Sequence, residues 1–446
     1  MKIVVIGAGA GGMAAATRAK RVNSTAQVIV LEAGEEFSRG TCSLPYYLSG
    51  ELPDQKLLWG ATREGLESDG IQLVLNTRAL KLDPARRTVE TDRDTYRYDR
   101  LIVSTGSQPR CIRALGATPT EPRVWQLRTV ADVMKIHCEL RTKQIRKVAV
   151  VGAGYVGLES TEAFCRLGLD VTLFHQNSTL VRLSSTLNNR LVKLFQDRGV
   201  DVRLDTRVEQ IQSSDGLLTF RDFAGPGQER FDAFCLCHGI EPKTQLLTDA
   251  GARPGRTGAV MVSARGETGL PNIYACGDGV ELPNPNGGAG RWIPLATTAA
   301  RLGRVCGENA AGGSLRLRSN LGALTVRLFD VELGLVGLPS DWNDDVSEAF
   351  SFEWGIEGHP FPARQAGLGV LYTDKRTGRL KGLQAVGPDA SRLVDVASLS
   401  VEQELCLDDL QNFDYAYNPP ISALWHPFYL ASRAARKEAH VGGYRH

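Results

Sequence analysis

Two groups of glycines have the spacing Gly-x-Gly-x-x-Gly, which suits contact with the pyrophosphate of a dinucleotide. Gly7, Gly9 and Gly12 follow an apolar run and open a predicted helix. The glycines allow a tight turn and close backbone approach, and the helix N-terminus supplies N–H donors. Glu32 ends the next predicted strand, where a carboxylate accepts hydrogen bonds from ribose hydroxyls. This first glycine cluster predicts a dinucleotide site.

Gly152, Gly154 and Gly157 form a second glycine cluster, which is also flanked by predicted strands. Here the following strand ends at His175 instead of an acid. An acid would bind the ribose of NADH and repel the 2′-phosphate of NADPH, so its absence removes that repulsion. His175 could donate a hydrogen bond to a phosphate. The sequence favours NADPH without excluding NADH.

Cys42 is the cysteine whose surroundings suggest redox chemistry. The nine cysteines are scattered, their number is odd and no Cys-x-x-Cys occurs, which argues against a disulfide framework. A lone thiol can cycle as a thiolate, a sulfenic acid or a mixed disulfide with a small thiol. Cys235 and Cys237 are predicted to face opposite sides of a sheet and are interpreted as buried structural thiols.

The elements that must position these residues form a repeat. Residues 2–33 and 147–175 each read as strand, glycine-rich turn, helix and strand, which predicts two separate dinucleotide sites. From about residue 322, alternating runs predict antiparallel strands, followed by a helix. We therefore predict an α/β protein. Its Rossmann-like domains should span 1–112 with 244–321 and 113–243, and an α+β dimerisation domain should span 322–446.

The order of these motifs resembles the pyridine nucleotide-disulfide oxidoreductase superfamily. The resemblance includes Ser104-Thr105-Gly106-Ser107 and the stretch 273–278 that ends in Cys276-Gly277-Asp278. It implies that the first cluster binds FAD, with Asp278 on the ribitol, and that the second binds NAD(P)H. Tyr155 would cover the flavin until nicotinamide displaces it, and Glu159 would lie near both rings. The residues predicted for FAD are Gly7, Gly9, Ala10, Gly12, Glu32, Thr105, Gly106, Asp278 and Ala296. Those predicted for NAD(P)H are Gly152, Gly154, Tyr155, Gly157, Glu159 and His175.

Cys42 resembles the working cysteine of the single-cysteine members of this superfamily, because Tyr47 stands where a second cysteine would complete Cys-x-x-x-x-Cys. Cys42-Ser43-Leu44-Pro45-Tyr46 is similar to the motif of coenzyme A-disulfide and persulfide reductases. NADH oxidases and peroxidases carry a histidine where this chain has Ala10. The resemblance implies electron flow from NAD(P)H through FAD to Cys42, and then to a small disulfide or persulfide.

The substrate residues implied by the resemblance are Arg18 and Arg21, which would face the phosphates of coenzyme A, together with Ser38 and Thr41. Arg pairs well with phosphate. Two departures concern this pocket, since Arg39 replaces a phenylalanine and Thr41 replaces an asparagine of the reductase motif. Recognition of coenzyme A itself therefore stays open.

Tyr417 matches the tyrosine that reaches the partner subunit's active site in this subgroup, which implies a homodimer and a second catalytic residue. A further tyrosine of coenzyme A-disulfide reductases would fall near 359–361, where the chain has none. This loss weakens the coenzyme A assignment further.

Composition excludes some other classes of function. The net charge is +2, which gives no electrostatic case for nucleic acid or membrane binding. No secretory leader or spanning segment is recognised, so a cytoplasmic location is predicted. Two alternatives remain: an NAD(P)H oxidase or peroxidase that uses a Cys42 sulfenic acid, and a flavin-bearing redox sensor or binding protein.

Overall fold

The structure is a computed structural model that describes residues 1–110, 115–284, 290–337, 347–355, 366–418 and 422–441. Short 3-10 turns lie at Thr41–Ser43, Gln55–Leu58 and Leu180–Arg182. The α-helices of the described residues are α1 (Ala10–Val22), α2 (Leu44–Leu48), α3 (Arg63–Ser68), α4 (Val130–Thr142), α5 (Tyr155–Arg166), α6 (Ser185–Gln196), α7 (Gln245–Thr248), α8 (Ala296–Ala310), α9 (Ala390–Glu402), α10 (Leu407–Gln411) and α11 (Pro427–Val441).

The strands lie between these helices, singly or in runs. Up to the second glycine cluster they are β1 (Lys2–Ile6), β2 (Gln27–Leu31), β3 (Ile71–Val74), β4 (Ala79–Asp83), β5 (Thr88–Thr91), β6 (Thr95–Arg97), β7 (Arg100–Val103), β8 (Ser107–Pro109), β9 (Val124–Trp125) and β10 (Lys147–Val151). After it they are β11 (Asp170–Phe174), β12 (Asp201–Arg203), β13 (Arg207–Gln212), β14 (Leu217–Asp222), β15 (Gly225–Arg230), β16 (Ala233–Leu236), β17 (Ile240–Pro242), β18 (Val260–Met261), β19 (Ile273–Ala275), β20 (Val280–Glu281), β21 (Leu324–Leu328), β22 (Val331–Val336), β23 (Ser347–Trp354), β24 (Gly367–Asp374) and β25 (Leu380–Gly387).

The chain divides into two compact units. The first unit comprises Met1–Cys111, Arg128–Val133 and Gly239–Asn320. The second unit comprises Ile112–Leu127, Met134–His238 and Leu321–His446, so it holds the second glycine cluster and the C-terminal sequence together. The division into three domains stays a prediction.

A parallel sheet in the order β19-β7-β1-β2-β3 forms the centre of the first unit. Its central strands β1, β2 and β7 are mostly Val, Ile and Leu buried on both faces, as expected for a parallel sheet covered by helices. The edge strand β19 comes from far along the sequence and pairs with β7 through Ala275 and Val103. The return of the chain to this sheet brings Asp278 to the end that also carries the first glycine cluster.

Helices α1 and α8 of the first unit cross in backbone contact. A Cβ atom at Gly303 would lie 2.2 Å from the carbonyl oxygen of Gly11, and one at Gly307 would lie 2.2 Å from that of Ala15. Only glycine on α8 permits this approach, because any side chain would overlap the backbone of α1. The crossing fixes the N-terminal end of α8 against the helix of the first glycine cluster.

The second unit contains a parallel sheet in the order β12-β11-β10-β16-β9 and a small antiparallel sheet, β13-β14-β15. Its C-terminal part is an antiparallel sheet in the order β21-β22-β25-β24-β23, with α9 packed on β22 and β25 and α11 on β23. Leu383, Ala397 and Phe428 lie in the core between this sheet and the helices. The predicted α/β class is confirmed, with two Rossmann-like sheets and a C-terminal α+β region.

Among the described residues, no helix combines the length and apolar character that crossing a bilayer requires.

Candidate active site

The first glycine cluster forms a turn that needs glycine for two different reasons. Gly7 has φ +96, and a Cβ there would lie 2.2 Å from the carbonyl oxygen of Ser104. A Cβ at Gly12 would lie 1.9 Å from the carbonyl oxygen of Gly7. At Gly9, by contrast, no described residue apart from the two chain neighbours has an atom within 4 Å of the place where a Cβ would lie. The turn is therefore packed against backbone at Gly7 and Gly12 and has open space at Gly9. This open space fits a bound pyrophosphate.

Glu32 holds this turn through its carboxylate. One carboxylate oxygen accepts a hydrogen bond from the backbone N–H of Ala8 at 2.8 Å, and the other accepts one from Gly34 at 3.0 Å. A carboxylate oxygen has a second lone pair, so Glu32 retains acceptor capacity for ribose hydroxyls. Ala10, the first residue of α1, is exposed.

Asp278 is fixed from two sides in the first unit. The hydroxyl of Ser107 donates to its carboxylate at 2.8 Å, and the indole of Trp292 donates to its carbonyl at 2.7 Å. Arg128 donates in turn to the carbonyl oxygen of Ser107 at 2.7 Å. Burial lowers the pKa of Arg128, and the charge of Asp278 opposes that shift. This series of hydrogen bonds orients the Asp278 carboxylate, which is predicted to bind the FAD ribitol.

Thr105 and Gly106 are fastened to a later segment of the same unit. The Thr105 hydroxyl donates to the carbonyl oxygen of Lys243 at 2.7 Å, and the N–H of Lys243 donates to that of Gly106 at 2.9 Å. Ala296 is the exposed first residue of α8, and no side chain caps the N-terminus of that helix. The N–H groups of its first turn are available to an acceptor.

Cys42 is exposed in the 3-10 turn that leads into α2. The segment before it is anchored to the first glycine cluster, because the N–H of Ser38 donates to the carbonyl oxygen of Ala8 at 2.8 Å. The same segment is tied a second time, because the N–H of Gly40 donates to the carbonyl oxygen of Leu58 at 2.7 Å. Thr41, next to Cys42, is exposed as well. The thiol is therefore presented on a tethered turn beside the predicted FAD cradle.

Arg39 lies within this segment and is also fixed in place. It pairs with Glu36, while its backbone bridges to Trp59. The side chain that replaces the phenylalanine of the reductase motif is thus an ion-paired guanidinium.

The basic residues of α1 differ in their surroundings. Arg18 pairs with Glu308 of α8 at 2.6 Å, and Lys20 donates to the carbonyl oxygen of Ala26 at 2.9 Å. Arg21 is exposed. Contact between Arg18 and a phosphate stays a prediction, and Glu308 would compete with the phosphate for this guanidinium.

The second glycine cluster repeats the geometry of the first. Gly152 has φ +104, and a Cβ there would lie 2.4 Å from the carbonyl oxygen of Cys237. A Cβ at Gly157 would lie 1.9 Å from the carbonyl oxygen of Gly152, and one at Gly154 would have no neighbour within 4 Å. The second unit therefore offers the same open turn to a pyrophosphate.

His175 occupies the position in the second cluster that Glu32 occupies in the first. Its Nδ1 accepts the N–H of Ala153 at 3.3 Å, just as Glu32 accepts the N–H of Ala8. Burial lowers the pKa of His175, so the imidazole is neutral at neutral pH. Since Nδ1 is an acceptor, the proton lies on Nε2. The imidazole also hydrogen-bonds the backbone of Thr179, and the amide nitrogen of Asn177 lies 3.5 Å from Nε2.

Tyr155 and Glu159 lie on the first turns of α5. Burial raises the pKa of Tyr155 to about 12, so its hydroxyl stays protonated. Burial, with a contribution from Glu162, raises the pKa of Glu159 to about 7. A carboxyl that is about half protonated at neutral pH is typical of functional sites.

Tyr417 is exposed by 49%, whereas Tyr415, two residues earlier, is held in place. Tyr415 stacks on His426 with ring centroids 3.8 Å apart and donates to the carbonyl oxygen of Leu410 at 2.8 Å. The two neighbouring tyrosines thus have different surroundings, and Tyr417 is the one that projects from the second unit. Positions 359–361, where coenzyme A-disulfide reductases would have a further tyrosine, lie outside the described residues.

The prediction that Cys235 and Cys237 face opposite sides of a sheet is wrong. Residues two apart along a strand point to the same face. The two Sγ atoms lie 3.8 Å apart, at the end of β16. No group of three or more His, Cys, Asp or Glu side chains in the described part of the chain is arranged to hold a metal.

Several residues at these sites carry no recognisable motif. Arg128 and Trp292 orient Asp278, and Glu308 pairs with Arg18, but each contact joins positions far apart in sequence. The spacing of residues along the sequence therefore could not predict these contacts.

Comparison with known proteins places this arrangement in a family. The family model described as "Pyridine nucleotide-disulphide oxidoreductase" matches residues 1–303. The chain belongs to this family. The predicted family is thereby confirmed, and the protein is an oxidoreductase of this kind.

Relatives of this oxidoreductase include named enzymes. It is 29% identical over 443 residues to the "NAD(P)H sulfur oxidoreductase (CoA-dependent)" of Pyrococcus abyssi, covering 97% of this chain and 98% of the relative. It is 28% identical over 441 residues to the "Coenzyme A disulfide reductase" of Staphylococcus aureus, covering 94% and 96%. Among solved structures, a "NAD-Dependent Persulfide Reductase from A. fulgidus" aligns with a TM-score of 0.92 and 28% identity, covering 99% of this chain and 84% of that one.

Proposed function

We propose that this oxidoreductase is an FAD-dependent NAD(P)H:disulfide or persulfide reductase. FAD, when bound, would relay electrons from NAD(P)H to a substrate that Cys42 has captured. The acceptor is a small molecule, namely a low-molecular-weight disulfide such as coenzyme A disulfide, or a persulfide or polysulfide. The similarity to the Pyrococcus, Staphylococcus and A. fulgidus enzymes, whose names give sulfur, coenzyme A disulfide and persulfide as substrates, supports this class of substrate.

The observation that carries the proposal is the position of Cys42. Its thiol is exposed on a turn tied by Ser38 to the first glycine cluster, and no cysteine stands nearby in sequence to form an internal disulfide. An exposed thiol on this turn is available to attack an external sulfur, oxygen or carbon centre. A small disulfide or persulfide is the acceptor that leaves Cys42 in a reversible state.

The residues of the first unit fit FAD. Gly9 leaves the open cradle, Glu32 has acceptor capacity for ribose, and Asp278 is oriented by Ser107. Thr105, Gly106 and Ala296 lie at strand and helix ends, where backbone donors are available. When bound, FAD would supply two-electron transfer between a nicotinamide and a sulfur.

Cys42 performs the substrate step as a thiolate. It attacks one sulfur of the disulfide, forms a mixed disulfide and expels the first thiolate. Two electrons and a proton then release the second thiol and regenerate Cys42. We assign delivery of that proton to the exposed Tyr417 of the partner subunit in a homodimer.

The second glycine cluster is proposed to bind NAD(P)H, with NADPH accepted at least as well as NADH. His175 carries no negative charge, so nothing at this position repels a 2′-phosphate. Tyr155 and Glu159 would lie beside the nicotinamide.

Purified protein should be tested for the acceptor it reduces fastest. Initial rates of NADPH oxidation are measured with coenzyme A disulfide, a coenzyme A persulfide, hydrogen peroxide and oxygen. We expect a sulfur acceptor to give the fastest turnover, because Ala10 supplies no imidazole for a peroxide step. Oxygen or peroxide as the fastest acceptor would instead establish the oxidase or peroxidase alternative.

The matched variants are Cys42→Ser and Cys138→Ser, which alters another exposed cysteine. Cys42→Ser should keep flavin and its reduction by NADPH but lose sulfur reduction by more than about 100-fold, as expected when a nucleophile is removed. Cys138→Ser should behave as wild type. Sulfur reduction that survives in Cys42→Ser rejects the mechanism, and negligible turnover with every acceptor favours a sensor.

A further inference from the structure

Two thiols of the second unit, those of Cys235 and Cys237, lie beside the second glycine cluster. The Sγ atoms of Cys235 and Cys237 are 3.8 Å apart, which is the range of a thiol–thiol contact. Cys235 is fully buried on β16, whereas Cys237 follows the end of that strand and is half-buried. Cys237 is therefore the nearer of the two residues to the surface, and Cys235 lies behind it.

Cys237 is also built into the second glycine cluster. Its N–H donates to the carbonyl oxygen of Val151 at 2.8 Å. Its own carbonyl oxygen lies 2.4 Å from the place where a Cβ at Gly152 would be, and its Cβ lies 3.3 Å from the corresponding place at Gly157. Both glycines are in contact with Cys237, so any displacement of this residue is transmitted to the turn.

The surroundings favour Cys237 as the attacking thiol. The hydrogen bond with Cys235 lowers the pKa of Cys237, and Ser160, 3.8 Å away, acts in the same direction against the opposing effects of burial and Glu159. A more acidic thiol at the end of a strand, with a second thiol 3.8 Å away on the buried side, is the arrangement of an attacking and a resolving cysteine.

We propose that Cys235 and Cys237 form a reversible disulfide that weakens nucleotide binding at the second glycine cluster. The proposal rests on the assignment of that cluster to NAD(P)H. It gives the oxidoreductase a thiol switch, operated by oxidised small thiols, that is separate from its working cysteine.

The oxidation is an ordinary thiol–disulfide exchange. The Cys237 thiolate attacks a small disulfide RSSR, forms a mixed disulfide and expels RS⁻. Cys235 then loses its proton, attacks the Cys237 sulfur and expels the second RS⁻. One RSSR and two cysteine thiols thus become one protein disulfide and two RSH, so that the two electrons reside on the released thiols.

Closing the bond must move Cys237. The sulfur atoms have to approach from 3.8 Å to about 2.0 Å, a change of roughly 1.8 Å. Two residues of extended strand place Cα atoms about 6.4–6.8 Å apart, at the upper limit of disulfide geometry, so the backbone must also contract. Because Cys237 is packed on Gly152 and Gly157, this contraction displaces the turn that receives the pyrophosphate.

Nucleotide binding and disulfide formation must affect each other equally, by thermodynamic linkage. If the disulfide weakens nucleotide binding by some factor, bound nucleotide disfavours the disulfide by the same factor. Saturating nucleotide should therefore keep the pair reduced, and oxidation should be most effective when the nucleotide is scarce.

The test uses FAD-loaded protein with Cys42→Ser, so that the working cysteine cannot react. The protein is treated with hydroxyethyl disulfide, with and without saturating NADP⁺, which does not reduce flavin. Cleavage after Arg230 and Lys243 releases both cysteines in one peptide, 231–243, which contains no other cysteine. Mass analysis of that peptide detects the loss of two hydrogens, and titration measures the Kd for NADP⁺ of the treated and reduced proteins.

We expect the peptide to lose two hydrogens, the Kd for NADP⁺ to rise about tenfold and NADP⁺ to protect the pair by a similar factor. Adding Cys235→Ala to the background should abolish the effect on Kd, whereas adding Cys165→Ser, a half-buried cysteine of α5, should preserve it. A peptide that stays reduced or stops at the mixed disulfide overturns the proposal, as does an unchanged Kd in the oxidised protein. If the reduced protein does not bind NADP⁺ at all, the nucleotide assignment fails instead, while the peptide mass still reports on the disulfide.

Discussion

Glu32 and His175 accept the same hydrogen bond in their respective glycine clusters, from the backbone N–H of Ala8 and of Ala153. One acceptor carries a full negative charge, and the other is neutral because burial lowers the pKa of the imidazole. The turn needs a hydrogen-bond acceptor at this position, but the acceptor can be charged or neutral. Its charge can therefore determine which nucleotide binds. His175 can therefore be exchanged without loss of the local geometry.

His175→Glu should shift preference from NADPH toward NADH. A carboxylate there would still accept the N–H of Ala153 but would repel a 2′-phosphate, and the shift should be about 1–2 kcal/mol, or roughly 5- to 30-fold in the ratio of affinities. The ratio of the Kd values for NADP⁺ and NAD⁺ measures it. His175→Gln retains a neutral acceptor and should leave the ratio within about twofold. Equal shifts in both variants would show that charge is not the cause.

At the scale of single residues, the sequence predicts those residues whose role follows from the local backbone conformation. Gly7, Gly12, Gly152 and Gly157 could be predicted because only glycine permits the turn. The contacts of Arg128 with Ser107 and of Arg18 with Glu308 could not be predicted, because they join positions that only the tertiary fold brings together. The orientation of Cys235 and Cys237 could have been predicted, since the strand period of two places both on one face.

At the scale of elements, the crossing of α1 and α8 determines where the N-terminus of α8 lies. The sequence predicts α1 from the glycine cluster that precedes it. The role of Gly303 and Gly307 was not predicted, because the partner atoms belong to a helix almost 300 residues away. Contact between two backbones leaves no side chain to adjust, so the crossing should tolerate little change.

Gly307→Ala should destabilise the first unit even though alanine favours helices by about 1 kcal/mol. The added methyl would lie 2.2 Å from the carbonyl oxygen of Ala15, and such overpacking typically costs about 1–3 kcal/mol and can cost more. We expect a lower midpoint of thermal unfolding and loss of flavin on dialysis, since α8 must move away from α1.

Arg304→Ala is the control for this change, because Arg304 is exposed on the same helix. It should change the free energy of unfolding by less than about 0.5 kcal/mol and should retain flavin. A Gly307→Ala protein as stable as Arg304→Ala would mean that the helices can separate at no cost.

At the scale of the whole molecule, Cys42 lies in the first compact unit and Tyr417 in the second. The proposed homodimer requires each active site to take Cys42 from one chain and Tyr417 from the other. A C2 dimer would contain two such sites. Mixed dimers can therefore separate the action of Tyr417 in trans from its action in cis.

A dimer of one Cys42→Ser chain and one Tyr417→Phe chain should retain one intact site and about half of wild-type activity. The matched control pairs a wild-type chain with one that carries both changes, which leaves no intact site if Tyr417 acts in trans. Differently tagged chains allow each mixed dimer to be purified and assayed. If the control dimer is the more active of the two, Tyr417 serves its own chain.

The pairing of β19 with β7, together with the α1–α8 crossing, has a consequence for synthesis of the chain on the ribosome. Strand β1 ends at Ile6, but β19 begins at Ile273 and α8 ends at Ala310. At about 5–20 residues per second, roughly 10–50 s separate the emergence of the first strand from that of its sheet's edge. During that interval, β7 has an unpaired edge and α1 has no helix against Gly11 and Ala15. The nascent N-terminal segment must therefore wait for most of the chain before it can bury its own core.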